Sequence, residues 1–343
     1  MISAFDRCQS QLRGSPKVWL VTGVAGFIGS NLLEWLLENK QTVVGLDNYA
    51  TGHPGNLAEV RDAVGAASWK NFQFIEGDVR ELQTCRDVVR GVDHVLHQAA
   101  LGAAPAHLND LLIGHDVNTN GFLNMLVASQ DEGVASFTYA ASSAAYGDHP
   151  ALPKVEDRVG EPLSPYGVST LMNELYAGVF ARNYGFKTIG LRYFNVFGPR
   201  QDPGGPYAAV FPRWVDAMLA DRWVTIDGDG ETSRDFCYVA NAVQANILAA
   251  MAHNEDRNQV YNVALGERTS LNDLFNFLVF EMASLEQDYH RSPHYGDFRP
   301  GDARYCQADI SKIRACLGYQ PSHDLRAGIA AALPWYINRR RLQ

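Results

Sequence analysis

The chain has 343 residues, with 46% hydrophobic and 20% charged side chains, a net charge of -9 and a pI near 5.6. This acidic balance argues against nucleic acids and anionic membranes as partners, because both bind cationic surfaces. The five cysteines form no Cys-x-x-Cys pair, which argues against a disulfide framework or a zinc site. No apolar run has membrane-spanning length and residues 1–16 lack the apolar core of a signal peptide, so we expect a cytoplasmic protein.

Continuous apolar runs in the first part of the chain predict buried strands. They begin at Val18, Thr42, Phe72, His94, Ser136 and Thr188. Continuous rather than alternating runs are typical of parallel strands that are covered on both faces. Helix-length segments separate them, among them Phe27–Glu38, Gly121–Glu132 and Pro165–Tyr184. This order predicts an α/β fold with a doubly wound parallel sheet of the Rossmann type and right-handed crossovers.

The alternation of strand and helix breaks just after the last of these runs, where a segment rich in glycine and proline predicts a loop. We expect residues 17–199 to form the sheet domain, with residues 236–265 returning to it. Residues 200–235 and 266–338 are expected to form a smaller mixed α/β domain that binds substrate. Residues 1–16 precede both as an N-terminal extension.

A glycine-rich loop directly follows the first expected strand and opens a helix. Its glycines are Gly23, Gly26 and Gly29. The first permits a tight turn, the second lets a pyrophosphate approach the backbone, and the third lets the helix pack closely on the sheet. The helix N-terminus supplies free N–H groups for phosphates, so Phe27 and Ile28 join the glycines as expected contacts of a bound dinucleotide.

Asp47 and Asn48 end the second expected strand, where a carboxylate can accept both hydroxyls of an adenosine ribose. Ordinary turn chemistry is the alternative for this pair. A carboxylate here repels a 2′-phosphate and no arginine follows at once, so we expect NAD rather than NADP. Further cofactor contacts are expected near the ends of later strands, at Asp78, Val79, Gln98, Ala99, Ala100 and Tyr193.

Motifs in the remaining sequence resemble one enzyme family. They are Ala140–Asp148, Ser164–Thr170, Leu191–Pro199 and Gly228–Phe236. Together they resemble the extended short-chain dehydrogenase/reductase family of NAD-dependent epimerases and dehydratases. More closely, the chain resembles the bacterial UDP-N-acetylglucosamine 4-epimerases of surface-polysaccharide synthesis, over nearly its whole length.

The resemblance implies which residues carry the chemistry. Tyr166 matches the family's general base and acid. Ser142, with Ser143 beside it, matches the residue that hydrogen-bonds the substrate hydroxyl. The implied activity is that of an NAD-dependent UDP-hexose 4-epimerase, with a UDP-N-acetylhexosamine as the expected substrate. The implied reaction passes through a transient 4-keto sugar, and Tyr166 takes the proton of the C4 hydroxyl.

One position departs from the family pattern Tyr-x-x-x-Lys. Thr170 stands where the lysine is expected, one helical turn after Tyr166. The resemblance implies that this lysine holds the nicotinamide ribose, and its charge would lower the pKa of the tyrosine by about 1 to 3. Thr170 can offer a hydrogen bond but no charge. Three hypotheses stay open: an inactivating change, a slow enzyme that uses another cation, and an NAD and UDP-sugar binding protein without catalysis.

The residues after Ser142 distinguish the reactions within the family. Relatives that eliminate water or carbon dioxide carry carboxylates there, as the resemblance implies. Here Ser143 and Ala144 occupy these places, and an alanine cannot act as the base for a carbon-bound proton. Inversion at C4 therefore fits best. A UDP-hexuronate 4-epimerase is the alternative, because the sequence leaves the sugar preference open.

The resemblance also implies a site for the nucleotide sugar. Asn195, Arg234 and Arg299 match residues that contact the UDP phosphates, and planar guanidinium groups suit bidentate binding of phosphate. Asp302 matches the position that faces the uridine ribose. The expected hexose pocket includes Gln201, Ala209 and Val210.

Gly121–Glu132 and the helix of Tyr166 carry long apolar stripes. Such stripes usually face a core, but in the family these helices form a four-helix dimer interface, so the resemblance implies a homodimer. His290 and His294 have the spacing of a helical metal site. Because Pro293 between them breaks such a helix, we expect no metal.

Overall fold

The computed structural model describes residues 2–102, 108–204, 208–298 and 303–341. Its strands are β1 Val18–Thr22, β2 Thr42–Asp47, β3 Phe72–Glu76, β4 His94–His97, β5 Ser136–Ser142, β6 Ile189–Tyr193, β7 Val196–Phe197, β8 Thr225–Asp227, β9 Ser233–Arg234, β10 Cys237–Tyr238, β11 Gln259–Val263, β12 Thr269–Ser270 and β13 His294–Gly296. Its α-helices are α1 Ala4–Gly14, α2 Phe27–Glu38, α3 Pro54–Trp69, α4 Leu82–Val88, α5 Leu108–His115, α6 Phe122–Glu132, α7 Pro165–Tyr184, α8 Val210–Leu219, α9 Val239–Ala250, α10 Leu271–Ser284, α11 Ser311–Leu317 and α12 Leu325–Arg341.

A seven-stranded parallel sheet forms the centre of the fold, in the order β11-β6-β5-β4-β1-β2-β3. The predicted doubly wound α/β fold is confirmed, and each predicted apolar run forms a strand. The chain adds β2 and β3 on one side of β1, and β4, β5 and β6 on the other. Because the winding reverses beside β1, the carboxyl ends of β1 and β4 border a crevice, which is where such sheets bind ligands.

Continuous apolar runs form the inner strands because helices cover both faces of the sheet. In β1 the side chains of Trp19, Leu20 and Val21 are fully buried. Trp19 and Val21 belong to one core cluster and Leu20 to another. Successive side chains of a strand point to opposite faces, so both layers of helices need apolar partners from the same short run.

A second core lies outside the sheet, among α8, α10 and α12. Its buried residues include Phe211, Trp214, Leu274 and Leu333. Three two-stranded pairs, β7–β10, β9–β12 and β8–β13, accompany it. Since β11 joins the edge of the large sheet beside β6, the chain leaves the sheet and returns to it. The exact domain boundaries stay a prediction.

The expected N-terminal extension contains helix α1, which packs against α9. Leu12 is buried, and its carbonyl oxygen accepts a 3.0 Å hydrogen bond from Gln41. Gln9 and Arg13 both donate to the side-chain oxygen of Asn39, at 2.9 and 2.7 Å. These contacts hold α1 against the turn between α2 and β2.

The apolar stripe of α6 faces the core. Phe122, Met125 and Leu126 are fully buried there, and a π-helical turn, Asp116–Gly121, joins α6 to α5. The helices α5 and α7, which pack together, carry a group of exposed apolar side chains: Leu112, Ile113, Val168, Leu175 and Val179. The core therefore covers the apolar stripe of Gly121–Glu132, and the dimer interface stays a prediction.

Two further observations concern metals and membranes. His294 begins β13, so His290 and His294 do not share a helix. Within the described ranges, no group of three or more His, Cys, Asp or Glu residues is placed to hold a metal ion. None of the described helices is long and apolar enough to cross a membrane.

Candidate active site

The glycine loop between β1 and α2 has the close backbone packing that the sequence predicts. Gly23 has a φ of 66°, and a Cβ there would lie 2.9 Å from the backbone nitrogen of Ala99. A Cβ on Gly29 would lie 2.1 Å from the carbonyl oxygen of Gly23. Gly29 thus packs α2 onto the turn at Gly23 rather than onto a neighbouring strand. Only glycine fits at these positions without moving the backbone.

A cavity of about 650 Å³ opens at the carboxyl ends of the strands, above this loop. Its volume lies within the range of about 300–1,000 Å³ that is typical of ligand pockets. The cavity is lined by every residue predicted to contact the cofactor, namely Gly23, Gly26, Phe27, Ile28, Gly29, Asp47, Asn48, Asp78, Val79, Gln98, Ala99, Ala100, Tyr166 and Tyr193. Of the predicted catalytic and substrate residues, it is lined by Ser142, Asn195, Gln201 and Ala209.

Asp47 both lines this cavity and holds the glycine loop. Its carboxylate accepts hydrogen bonds from the backbone N–H of Ala25, at 2.9 Å, and of Tyr49, at 2.8 Å. Burial raises the pKa of Asp47, against the effect of these backbone donors. Turn chemistry and ligand contact are therefore compatible at Asp47, because the same carboxylate shapes the turn and lines the cavity; the ligand contact stays a prediction.

Asp78 is held by neighbouring polar groups. Its carboxylate accepts hydrogen bonds from the Arg80 guanidinium at 2.7 and 3.0 Å, and from the Asn48 amide at 2.8 Å. The hydrogen bond from Arg80 lowers the pKa of Asp78 to about 2. Asp78 is thus a fixed carboxylate just after β3. It lines the same cavity as Asp47, which is expected to face the adenosine ribose of NAD.

Thr22 and His97 fix the floor of the cavity. The Thr22 hydroxyl accepts hydrogen bonds from the backbone N–H of Gln98 and of Ala99, both at 3.2 Å. Its own proton then points to the Nδ1 atom of His97, at 2.8 Å. Burial lowers the pKa of His97 to about 4, so the ring stays neutral and accepts this bond. The sequence pattern does not reveal this pair, which joins the ends of β1 and β4.

A closed ring of hydrogen bonds lies beside the same floor. The Gln98 amide donates to Asn246 at 3.1 Å, and Asn246 donates to the Tyr193 hydroxyl at 2.7 Å. The Tyr193 hydroxyl donates back to Gln98 at 3.1 Å. Each partner fixes the next, so the ring sets the orientation of Gln98 and Tyr193 toward the cavity.

The predicted catalytic residues Ser142 and Tyr166 lie together. Ser142 ends β5, and Tyr166 is in the first turn of α7, whose N-cap is Ser164. The Ser142 hydroxyl accepts a 3.1 Å hydrogen bond from the backbone N–H of Ala144 and is hydrogen-bonded to the Tyr166 phenol. Burial raises the pKa of Tyr166, and the bond from Ser142 partly opposes it. Ser143 does not line the cavity.

A second cavity of about 300 Å³ lies between α8 and β8. It is lined by the predicted residues Asn195, Ala209, Val210 and Arg234, together with Trp214, Phe298 and Arg304, which the sequence did not single out. Both cavities share Asn195, Val196, Ala208 and Ala209 as lining residues. One extended ligand can therefore reach from the second cavity to the Ser142–Tyr166 pair.

A family model described as the NAD dependent epimerase/dehydratase family matches residues 19–264 of the chain. The chain belongs to this family. The predicted family and its dependence on NAD are confirmed.

Relatives of this epimerase/dehydratase family match the chain over nearly its whole length. A putative UDP-glucose 4-epimerase from Methanocaldococcus jannaschii is 33% identical, and the match covers 94% of this chain and 99% of that protein. A solved UDP-N-acetylglucosamine 4-epimerase from Methanobrevibacter ruminantium, in complex with UDP-N-acetylmuramic acid, is 34% identical, with a TM-score of 0.85 and coverage of 94% and 99%. A solved UDP-glucuronic acid 4-epimerase from Bacillus cereus, in complex with UDP-glucuronic acid and NAD, is 29% identical, with a TM-score of 0.82 and coverage of 95% and 100%.

Thr170, at the position of the expected family lysine, turns away from the cavity. Its hydroxyl donates a 2.9 Å hydrogen bond to the carbonyl oxygen of Gly167, within its own helix. The side chain is buried and is not among those that line the cavity. Thr170 therefore does not offer a ligand the hydrogen bond that the sequence allowed. Among the described lining residues, the only Arg or Lys is Arg200, which pairs with Glu34 on α2.

The predicted nucleotide site is seen only in part. Arg299 and Asp302 lie outside the described residues. The carbonyl oxygen of Arg304 lies 3.4 Å from the Arg234 guanidinium, and the Arg304 side chain forms a 2.6 Å ion pair with Asp229. Arg304 follows the Arg-Pro-Gly-Asp motif closely. Arg304 lies five residues after Arg299, which the sequence predicts to contact phosphate. This spacing is the sequence signal that could have identified Arg304.

Proposed function

We propose that the chain is an NAD-dependent UDP-hexose 4-epimerase that acts on a UDP-N-acetylhexosamine through a transient 4-keto sugar. The arrangement of Ser142 and Tyr166 carries the proposal. They lie in one wall of a cavity that has the glycine loop on one side and opens into the second, arginine-bearing cavity on the other. Such a cavity suits a dinucleotide and a nucleotide sugar that meet at one reacting carbon.

The glycine loop fits NAD because it has no side chains at Gly23 and Gly29, where a Cβ would collide with neighbouring backbone. A diphosphate could therefore approach the backbone of the loop closely. The loop and the N-terminus of α2 would hold the diphosphate, and Asp47 would face the adenosine ribose. When bound, NAD supplies reversible hydride transfer at the C4 carbon of the sugar.

The protein's own part of the reaction is positioning and proton transfer. The Tyr166 phenolate takes the C4 hydroxyl proton as the ketone forms and returns it when the alcohol forms again. Ser142 donates toward the same oxygen, and Ala144 fixes its hydroxyl through the backbone N–H. With NAD bound, return of the hydride to the other face of the ketone would invert C4.

Thr170 makes this reaction slow. A nearby positive charge stabilises the deprotonated phenol of Tyr166, and Thr170 supplies none because its hydroxyl is neutral; that hydroxyl is also bonded to Gly167. Burial raises the pKa of Tyr166 further, so the phenolate is scarce at neutral pH. The same observation favours a second candidate, a protein that binds NAD and a UDP-sugar without catalysis.

Dehydration and decarboxylation are disfavoured at this site. The described carboxylates that line the larger cavity are Asp47, Asp78 and Asp202. Asp47 ends β2 and Asp78 follows β3, whereas Ser142 ends β5. Asp202 contacts His53. The residues that directly follow Ser142 are Ser143 and Ala144, so no carboxylate stands there to take a proton from carbon.

The lining also favours a neutral sugar over a uronate. Around the junction of the two cavities lie Val196, Ala208 and Ala209. The described cation of the larger cavity, Arg200, is already paired with Glu34. A sugar carboxylate within the larger cavity would meet no unpaired Arg or Lys among the described lining residues of that cavity, and burying an unpaired charge is costly.

The proposal includes a homodimer built from α5 and α7. Their exposed apolar side chains include Leu112, Val168 and Leu175, which are 75%, 44% and 63% exposed. Pairing these two helices with a second copy would form a four-helix bundle and cover the patch. A cytoplasmic location and a role in polysaccharide synthesis stay predictions.

The proposal is tested by denaturing the purified protein and identifying the released small molecules by mass spectrometry. NAD together with a UDP-N-acetylhexosamine supports it. Isotope exchange between C4 of the sugar and the cofactor then separates the two candidates, since a binding protein exchanges nothing.

A further inference from the structure

Two loops meet at the solvent edge of the larger cavity. The Nε2 atom of His53 lies 3.3 Å from the Oδ2 atom of Asp202, and the two side chains are 49% and 32% exposed. Both residues line the cavity. His53 follows β2 and Asp202 follows β7, so the contact joins distant parts of the chain across the cavity.

The loop that carries His53 is attached to the glycine loop. The backbone N–H of His53 donates to the carbonyl oxygen of Ala25 at 3.0 Å. The Asn56 side chain donates to the same oxygen at 2.8 Å. A Cβ on Gly52 would lie 2.9 Å from the backbone of Ala25. His53 is thus set beside the loop expected to hold the diphosphate.

The loop that carries Asp202 is attached to α2 from the other side. Asn31 donates to the carbonyl oxygen of Pro199 at 3.2 Å and accepts from Arg200 at 2.9 Å. The other carboxylate oxygen of Asp202 accepts from the backbone N–H of Gly204 at 3.2 Å and faces Arg339 on α12 at 3.5 Å. The Oδ2 atom is left to His53.

The two attachments approach the glycine loop and α2 from opposite sides. In the sheet, β2 lies on one side of β1 and β6, which leads into β7, lies on the other. The His53–Asp202 contact therefore closes a path from one half of the carboxyl edge to the other. A dinucleotide lying along that edge would run beside this contact, because both residues line the cavity.

We propose that His53 and Asp202 form a clasp that retains the bound dinucleotide and sets its rate of release. The inference rests on the proposed function, because it needs NAD in this cavity. The clasp acts on exchange rather than on chemistry, since neither residue adjoins Ser142 or Tyr166 in the structure. Its effect is that of a single, partly exposed polar contact, which is modest and measurable.

The test is the release of radiolabelled NAD from the loaded holoenzyme into excess unlabelled NAD. The variants are His53→Ala, Asp202→Asn and the double variant. We expect each single variant to release NAD about two- to fivefold faster, as for loss of a partly exposed polar contact. The double variant should be no faster than the singles, and His53→Lys, which places a fixed cation opposite Asp202, should release NAD no faster than the unaltered protein.

Asp62→Asn is the matched control, because Asp62 pairs with Arg61 on the surface of α3 and does not line the cavity. Unfolding midpoints of all variants show whether the fold is kept. Unchanged release in both single variants, or effects that simply add, would overturn the clasp alone. Absence of retained NAD in the unaltered protein would overturn both the clasp and the proposed function.

Discussion

The hydroxyl of Thr170 donates a hydrogen bond to the carbonyl oxygen of Gly167, in its own helix. Thr170 stands where the family lysine is expected, one helical turn after Tyr166. The bond satisfies Thr170 within its own helix. Tyr166 then has Ser142 as its hydrogen-bond partner, and no lysine is among the described residues that line its cavity. The rate of the proposed reaction depends on this relationship.

Restoring a cation at position 170 should accelerate the reaction. We expect Thr170→Lys to raise turnover of a UDP-N-acetylhexosamine at least tenfold at neutral pH, because a nearby cation lowers a pKa by about 1 to 3. The measurement is the initial rate of change in the C4 isomer ratio. Thr170→Met, which adds length without charge, is the control and should show no gain. An equal gain in both variants would show that charge is not the cause.

The unaltered protein should be faster in alkali. Burial raises the pKa of Tyr166, and an acid whose pKa is raised is mostly protonated below that pKa. The phenolate fraction, and with it kcat, should therefore rise nearly tenfold for each pH increase of 1, without a plateau below about pH 10. In Thr170→Lys the plateau should begin at lower pH. A flat kcat profile between pH 7 and 9 in the unaltered protein would contradict the role of Tyr166.

Thr22→Val should loosen the cavity floor. The change removes the acceptor of two backbone N–H groups and the donor to His97. Unpaired buried polar groups cost about 1–3 kcal/mol, so we expect that loss in free energy of unfolding, together with weaker binding of NAD. Urea denaturation and NAD titration measure the two effects. Thr42→Val, on an exposed position of β2, is the control and should change neither.

Gly29→Ala should disable the glycine loop. The added Cβ would lie 2.1 Å from the Gly23 carbonyl oxygen, which forces the backbone to shift at a cost of about 3 kcal/mol. We expect no NAD in the purified variant and a lower unfolding midpoint. Gly55→Ala in α3 is the control, since a Cβ there meets nothing within 4 Å and should be neutral or slightly stabilising. Full NAD occupancy in Gly29→Ala would refute the assignment of the loop.

The sequence predicts the strands and the glycine loop well because both depend on local chain properties. Continuous apolar runs such as Val18–Thr22 need cover on two faces wherever they lie, and Gly23 needs its unusual φ in any context. The periodicity in Gly121–Glu132 identified an apolar face, but it could not show that the core already covers that face.

Contacts between distant segments could not be read from the sequence. Thr22 and His97 are 75 residues apart, and His53 meets Asp202 through the arrangement of two loops. The orientation of Thr170 depends on a choice between its own helix and the cavity. No residue pattern determines these outcomes, because each depends on how the finished fold places the partners.

The central claim is most directly tested with a UDP-N-acetylhexosamine that carries deuterium at C4. The purified protein is incubated with this sugar, and nuclear magnetic resonance follows the C4 configuration of the product. We expect slow formation of the C4 epimer with the label retained, and faster formation in Thr170→Lys. If neither protein forms the C4 epimer and no deuterium reaches the bound cofactor, the assignment of this site to C4 epimerisation is wrong.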